Sequence, residues 1–195
     1  MGIMEILTYP NPRLREVSAP VDVFDAKLKK LTEDMIETMY DAHGIGLAAP
    51  QVGVLQRVVV IDTRPKNDEG RRYDNDEMGE LEKKVTQPLI LINPRIVGGV
   101  GSTTFDEGCL SVPSFYETVE RKEVIEVETY DLSGKKYTFK TDGLLAICIQ
   151  HELDHLEGKL FIDRISFLKS KKIKNEIQKH GYPNKDKKEK AEVKK

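Results

Sequence analysis

Asp142-Gly143-Leu144-Leu145-Ala146-Ile147-Cys148-Ile149-Gln150-His151-Glu152-Leu153-Asp154-His155-Leu156-Glu157-Gly158 is the stretch on which the fold turns. Asp142 is a capping residue type and Gly158 a stopping one, so the pattern predicts a helix from about Leu144 to Glu157. Apolar residues surround that helix on every side through Ile149, which places it inside the protein. His151 and His155 lie four residues apart on one helical face, where both imidazoles can bind one divalent metal. Glu152 follows the first of them and is placed to act on a water held at such a metal. HExxH is short enough to arise by chance. Its helical context, and the use of two of only 4 histidines in the chain, carry the reading.

Working outward, Leu28, Leu31, Met35 and Met39 recur at helical spacing and predict an amphipathic helix over Asp25–Ala42. Gly44-Ile45-Gly46-Leu47-Ala48-Ala49-Pro50-Gln51 breaks it, and Arg57–Asp62 reads as a buried strand. Residues 64–87 carry seven acids and six bases with almost no apolar period, which predicts an extended loop or insertion. Strands are expected at Leu89–Ile92, Arg95–Val100, Glu117–Arg121, Val124–Tyr130 and Lys136–Thr141, and a last helix at Ser166–His180. Helices at both ends with strands clustered between them point to an α+β fold. Antiparallel strands would pack around a central, buried HExxH helix, flanked by N-terminal and C-terminal helices.

The 195 residues suit one domain, here 1–168, followed by a lysine-rich segment, 169–195. That segment holds 11 Lys against 4 acids, a net +7, against −9 for the rest of the chain. It is expected to be a helix and a solvated tail able to meet a polyanion such as the ribosome. With 33% charged and 38% apolar residues, collagen, disordered and membrane classes are excluded. The longest apolar run, Leu144–Ile149, is far short of the roughly 18 residues of a membrane span. Residues 1–7 lack the basic stretch of a signal peptide, and Ile6 stands where myristoylation wants Ser or Thr. Two cysteines make no disulfide framework. The expectation is a soluble, cytoplasmic protein.

Gly44–Ala49 fits the dinucleotide fingerprint G-x-G-x-x-G/A, but a helix precedes it and a proline and strand follow, so the nucleotide reading fails on context. The glycines serve close backbone packing or the approach of an extended ligand. A catalytic metal needs a third protein ligand and an open position. The position for a third histidine after HExxHxxG is Phe161, and Glu176 lacks the rest of the carboxylate signature. Cys148 is about 10 Å of helix rise from His155, beyond the reach of its side chain, and reads as a small core residue. Cys109, in Glu107-Gly108-Cys109-Leu110-Ser111, can approach from another element and is the chosen ligand, ahead of His43 and His180. Two nitrogens and one sulfur suit Zn²⁺, Fe²⁺, Ni²⁺ or Co²⁺.

Three segments together, Gly44–Gln51, Glu107–Ser111 and Gln150–His155, resemble the peptide deformylase family, as does Ile6-Leu7-Thr8-Tyr9-Pro10-Asn11-Pro12-Arg13-Leu14-Arg15. The resemblance spans roughly 3–170; residues 64–87 are longer than the compact family pattern. It implies a metal-dependent hydrolase that removes the formyl group from the N-terminal formylmethionine of nascent polypeptides, releasing formate. Cys109, His151 and His155 would hold the metal, Fe²⁺ in the cell with Zn²⁺ a less active occupant. Glu152 would move the proton, and the Gln51 amide and Leu110 N–H would stabilise the oxyanion. Gly44, Ile45 and Gly46 would run beside the substrate, and Ile45, Leu144, Ile147 and Cys148 would hold the methionine side chain. Glu107 would pair with Arg121, and Asp154 would orient a neighbour or stand solvated. The alternatives are a zinc endopeptidase of HExxH type and a structural zinc module with a fourth ligand at Cys148.

Overall fold

Val58-Val59-Val60-Ile61 shows how the core is built, because every residue of this strand has 0% exposure. Side chains alternate across a strand. Val59 and Ile61 pack with Leu91, Ile125, Val127 and the helical residues Leu145, Ala146 and Ile149. Val58 and Val60 pack on the other face with Leu28, Met35 and Met39. A strand covered on both faces carries a continuous apolar run, and each such side chain contributes about 1.5–3 kcal/mol over exposure.

The computed structural model describes residues 2–67, 69–74 and 76–182. Its elements are α1 (Ala26–Asp41), β1 (Gly46–Ala48), β2 (Val58–Ile61), β3 (Leu89–Val100), β4 (Thr103–Cys109), β5 (Val112–Arg121), β6 (Val124–Tyr130), β7 (Lys136–Thr141), α2 (Gly143–Leu156) and α3 (Phe167–His180). One antiparallel sheet has the order β1-β2-β3-β6-β7, and β4 and β5 form a separate antiparallel pair. The fold therefore mixes helix and antiparallel sheet, with three α-helices among the described residues. Helix α1 covers one face of the first sheet and α2 the other. Helix α3 sinks Ile173 and Ile177 into a third cluster with Val112, Val119 and Phe161 beneath the β4–β5 pair. Among the described residues no helix is long and apolar enough to cross a membrane.

Several elements differ from expectation. Leu89–Ile92 and Arg95–Val100, expected as two strands, are one, β3, which runs through Pro94 with register shifts on either side of Arg95–Ile96 where a missing N–H is tolerated. Gly46–Ala48, read only as part of the break after the first helix, pairs with β2 at the sheet's edge. The β4–β5 pair extends far beyond Glu117–Arg121, because Thr103–Cys109 lacks apolar alternation and finds its partner only in three dimensions. Asp142 occupies the N-cap position of α2 without capping it. Its carboxylate accepts the backbone N–H groups of Leu81 (3.1 Å) and Glu82 (3.0 Å) instead. The polar segment 64–87 buries Met78 and Glu82 and ends in a short 3₁₀ turn, Glu82–Lys84. The expected tail beyond Tyr182 lies outside the described residues.

Candidate metal centre and active site

Three donors converge from two elements: His151 and His155 project from α2, and Cys109 ends β4. The ligand atoms of Cys109, His151 and His155 lie within 4.8 Å of one another. Cys109 Sγ is 3.3 Å from His155 Nε2. Bonds of about 2.3 Å to sulfur and 2.05 Å to nitrogen in a tetrahedron would put those atoms about 3.5 Å apart, so the donor set fits a divalent ion. His151 Nδ1 lies 2.8 Å from Glu107 Oε2, which leaves Nε2 as its ring atom for a metal. Cys148 is not part of this group; it is buried, its Sγ lies 3.8 Å from the Ile45 carbonyl, and burial pushes its thiol pKa up.

Behind the donors runs a chain of charge. Arg121 donates to Glu107 from Nε (2.6 Å) and Nη2 (2.9 Å), and from Nη1 to Asp154 (2.7 Å). Asp154 also accepts from Arg164 Nε at 3.0 Å, so it is a buried bridge between two arginines. Burial alone would raise the Glu107 pKa, but Arg121 and His151 overcome it and hold the carboxylate at about 2. The Glu107–Arg121 pair is the one the family resemblance implied, whereas the bond from Glu107 to His151 was not foreseen. The signal was available: a ligand histidine needs a partner on its other nitrogen, and Glu107 stands two residues before Cys109.

Glu152 is buried, and its Oε2 makes no hydrogen bond among the described residues. Burial chiefly, helped by the charges of Glu107 and Asp154 against those of His151 and Arg121, lifts its pKa to about 7. Gln51 sits in a 3₁₀ turn, Ala49–Val52. Its Oε1 accepts the Ala48 N–H at 2.8 Å, and its Nε2 donates to Ser111 Oγ at 3.1 Å and lies 3.7 Å from Cys109 Sγ. The amide is thereby oriented with its N–H end toward the donors.

A cavity of about 690 Å³ opens onto this group. Of the expected residues, Gly44, Ile45, Gly46, Gln51, Cys109, Leu110, Leu144, Ile147, Cys148, His151 and Glu152 line it, while His155 lies behind. Phe105, Phe115 and Tyr116 from the β4–β5 pair complete the wall; sequence reasoning missed them because that pair was not foreseen. Gly46 is fixed by close approach. A Cβ there would fall 2.7 Å from Cys148 Sγ and 3.0 Å from Glu152 Cδ.

The family model for polypeptide deformylase matches residues 3–171. A peptide deformylase of Alkalilimnicola ehrlichii is 51% identical over 179 residues, covering 92% of this chain and 91% of the relative. One of Chromobacterium violaceum is 45% identical over 184 residues, 94% and 99% of the two chains. Among solved structures, the peptide deformylase of Legionella pneumophila superposes with a TM-score of 0.76 at 40% identity, covering 100% of this chain and 99% of that one. That of Ehrlichia chaffeensis in complex with actinonin gives 0.80 at 36% identity, covering 94% and 100%. With the family model matched over residues 3–171 and a relative 51% identical over 92% of this chain, the chain belongs to the polypeptide deformylase family.

Proposed function

We propose that the chain removes the formyl group from the N-terminal formylmethionine of nascent polypeptides, leaving a free amine and formate. The observation that carries this reading is the Cys109, His151 and His155 group facing a cavity beside Glu152 and the Gln51 amide. A divalent ion held by those three residues, Fe²⁺ in the cell by family likeness, would supply Lewis acidity, acidifying a water and polarising the formyl carbonyl.

Each step is then taken by the chain's own groups. Glu152, buried and with Oε2 making no hydrogen bond among the described residues, accepts the proton of the attacking water. As the water oxygen joins the formyl carbon, charge grows on the formyl oxygen. Gln51 Nε2–H and the Leu110 backbone N–H donate to it. Glu152 then returns the proton to the amine nitrogen as the C–N bond breaks. Ile45, Leu144, Ile147 and Cys148 hold the methionine side chain, and Gly44–Gly46, which leads into the edge strand β1, runs beside the peptide backbone. Arg121 and Glu107 orient the His151 ring. Helix α2 is the organising centre, since it carries two ligands and the proton carrier and packs against the sheet.

Residues 1–168 form the catalytic domain in this reading, working in the cytoplasm where nascent chains emerge. The lysine-rich segment 169–195 attaches the enzyme electrostatically to the ribosome; its net +7 supports this. Removing residues 183–195 should weaken ribosome co-sedimentation at low salt and leave hydrolysis of a short peptide unchanged. Equal co-sedimentation would reduce the segment to a solubilising end. Like the Ehrlichia relative, this chain should bind actinonin in the cavity. The endopeptidase alternative is not favoured, because among the described residues no downstream third ligand joins the histidines and the family is that of deformylases. Formate release from formyl-Met-Ala-Ser, with metal counted and the unformylated peptide as control, tests the function. Formate should appear only from the first; cleavage of internal bonds instead would overturn it.

A further inference from the structure

Residues 64–87 take no part in the chemistry above, yet they hold both sides of the cavity. On one side stands Arg72, whose side chain is only 9% exposed. Its Nη2 donates to the Gly44 carbonyl at 2.9 Å and its Nη1 to the Arg64 carbonyl at 2.6 Å. The guanidinium lies over the Tyr40 ring at 5.2 Å and faces the buried Asp62 carboxylate at 3.6 Å. Asp62 in turn accepts from the Tyr40 hydroxyl at 2.6 Å and from Arg64 Nε at 3.0 Å. On the other side, Asp142, at the head of α2, accepts the Leu81 and Glu82 N–H groups. Glu82, 1% exposed, lies against Gly143, the first residue of α2, and takes the Thr63 hydroxyl.

We propose that the 64–87 segment sets the distance between the two walls of the methionine pocket, with Arg72 as the positioning residue. One wall is Gly44–Gly46 and the other is the first turns of α2 with Leu144 and Ile147. The inference rests on the functional reading above. Glycine has the widest backbone freedom, so a Gly-Ile-Gly segment needs an outside anchor to hold one shape. Arg72 supplies it at the Gly44 carbonyl, and a hydrogen bond from a charged donor is stronger than a neutral one. The metal donors and Gln51 are held by other contacts, and Gly46, against which Glu152 packs, is held by its pairing with Ile61 in the sheet. Loss of Arg72 should therefore loosen substrate binding while leaving the chemistry in place.

The test compares wild type, Arg72→Met and Arg72→Lys as metal-loaded full chains on formyl-Met-Ala-Ser. Amide hydrogen exchange across residues 43–48 is measured without substrate. Arg72→Met should raise KM about tenfold, the size expected for one charged hydrogen bond. Its kcat should stay within about threefold, metal should remain bound, and exchange at 43–48 should quicken. Arg72→Lys, with one donor arm, should fall between. Asp142→Asn, which weakens the other anchor, should show the same KM signature and serves if Arg72→Met does not fold. Unchanged KM in the folded variants, or a fall in kcat at constant KM, overturns the proposal. Wild-type protein that releases no formate overturns the functional reading, and unchanged exchange in Arg72→Met then overturns the anchor as well.

Discussion

Gly46→Ala is a small change with a large calculable consequence. The new methyl would sit 2.7 Å from Cys148 Sγ and 3.0 Å from Glu152 Cδ. Ordinary carbon contacts begin near about 3.5 Å, so strand and helix must part, or Glu152 must swing, by roughly 0.5–1 Å. Overpacking of this kind costs about 1–3 kcal/mol of stability, which a domain of this size survives. The catalytic cost is greater, because a displacement of about 1 Å can lower turnover about 10²-fold. The three metal donors are not in the path of the methyl. The variant should melt cooperatively a few degrees early, retain its metal, and lose about two orders of magnitude in kcat for formyl-Met-Ala-Ser. Thermal melting, metal counting and formate release together check this. A folded Gly46→Ala with wild-type kcat would refute the claim that the glycine exists to seat Glu152.

Gln51→Leu should lower kcat about 10²–10³-fold with little change in melting, the usual cost of one oxyanion donor; an unchanged kcat removes Gln51 from the mechanism. Cys109→Ala should lose metal and Cys148→Ala should keep it, read by metal per chain after gel filtration; the reverse would exchange their roles. Asp62 is fully buried, and although burial raises its pKa, Arg64, Tyr40 and Arg72 lower it below the ordinary value. Its ionised form therefore stabilises the fold above the ordinary Asp range, and that contribution fades as pH falls through the depressed pKa. Asp62→Asn should cost about 3 kcal/mol at pH 7 and progressively less below pH 4, measured by urea unfolding; a pH-independent difference would contradict it.

What the sequence made legible followed from local periodicity. The 3.6-residue repeat exposed α1, the apolar run between Asp142 and Gly158 exposed α2, and the HExxH spacing placed two ligands on one face. The run Val58–Ile61 announced a strand buried on both sides. Cys109 was chosen because Phe161, Glu176 and Cys148 failed on pattern or reach, with His43 and His180 left as weaker choices. What stayed hidden depends on partners distant in the chain. Thr103–Cys109 has no strand pattern of its own and exists as β4 only through β5. The bond from Glu107 to His151 spans 44 positions, and that from Arg72 to Gly44 spans 28. Asp142 looked like a helix cap, but the amides of Leu81 and Glu82 compete for the same carboxylate and win. Segment 64–87 read as solvated because its charges outnumber its apolar residues; several of those charges are spent on buried pairs.

The central claim is that Cys109, His151 and His155 hold one metal while Glu152 moves the proton. Glu152→Gln separates the two parts, since it keeps the shape of the side chain and removes its basicity. Metal per chain and formate release from formyl-Met-Ala-Ser are measured on the same purified sample. A folded protein is expected, with its metal retained and turnover lowered by at least about 10²-fold. A folded Glu152→Gln that releases formate at the wild-type rate, or that loses its metal, would contradict it.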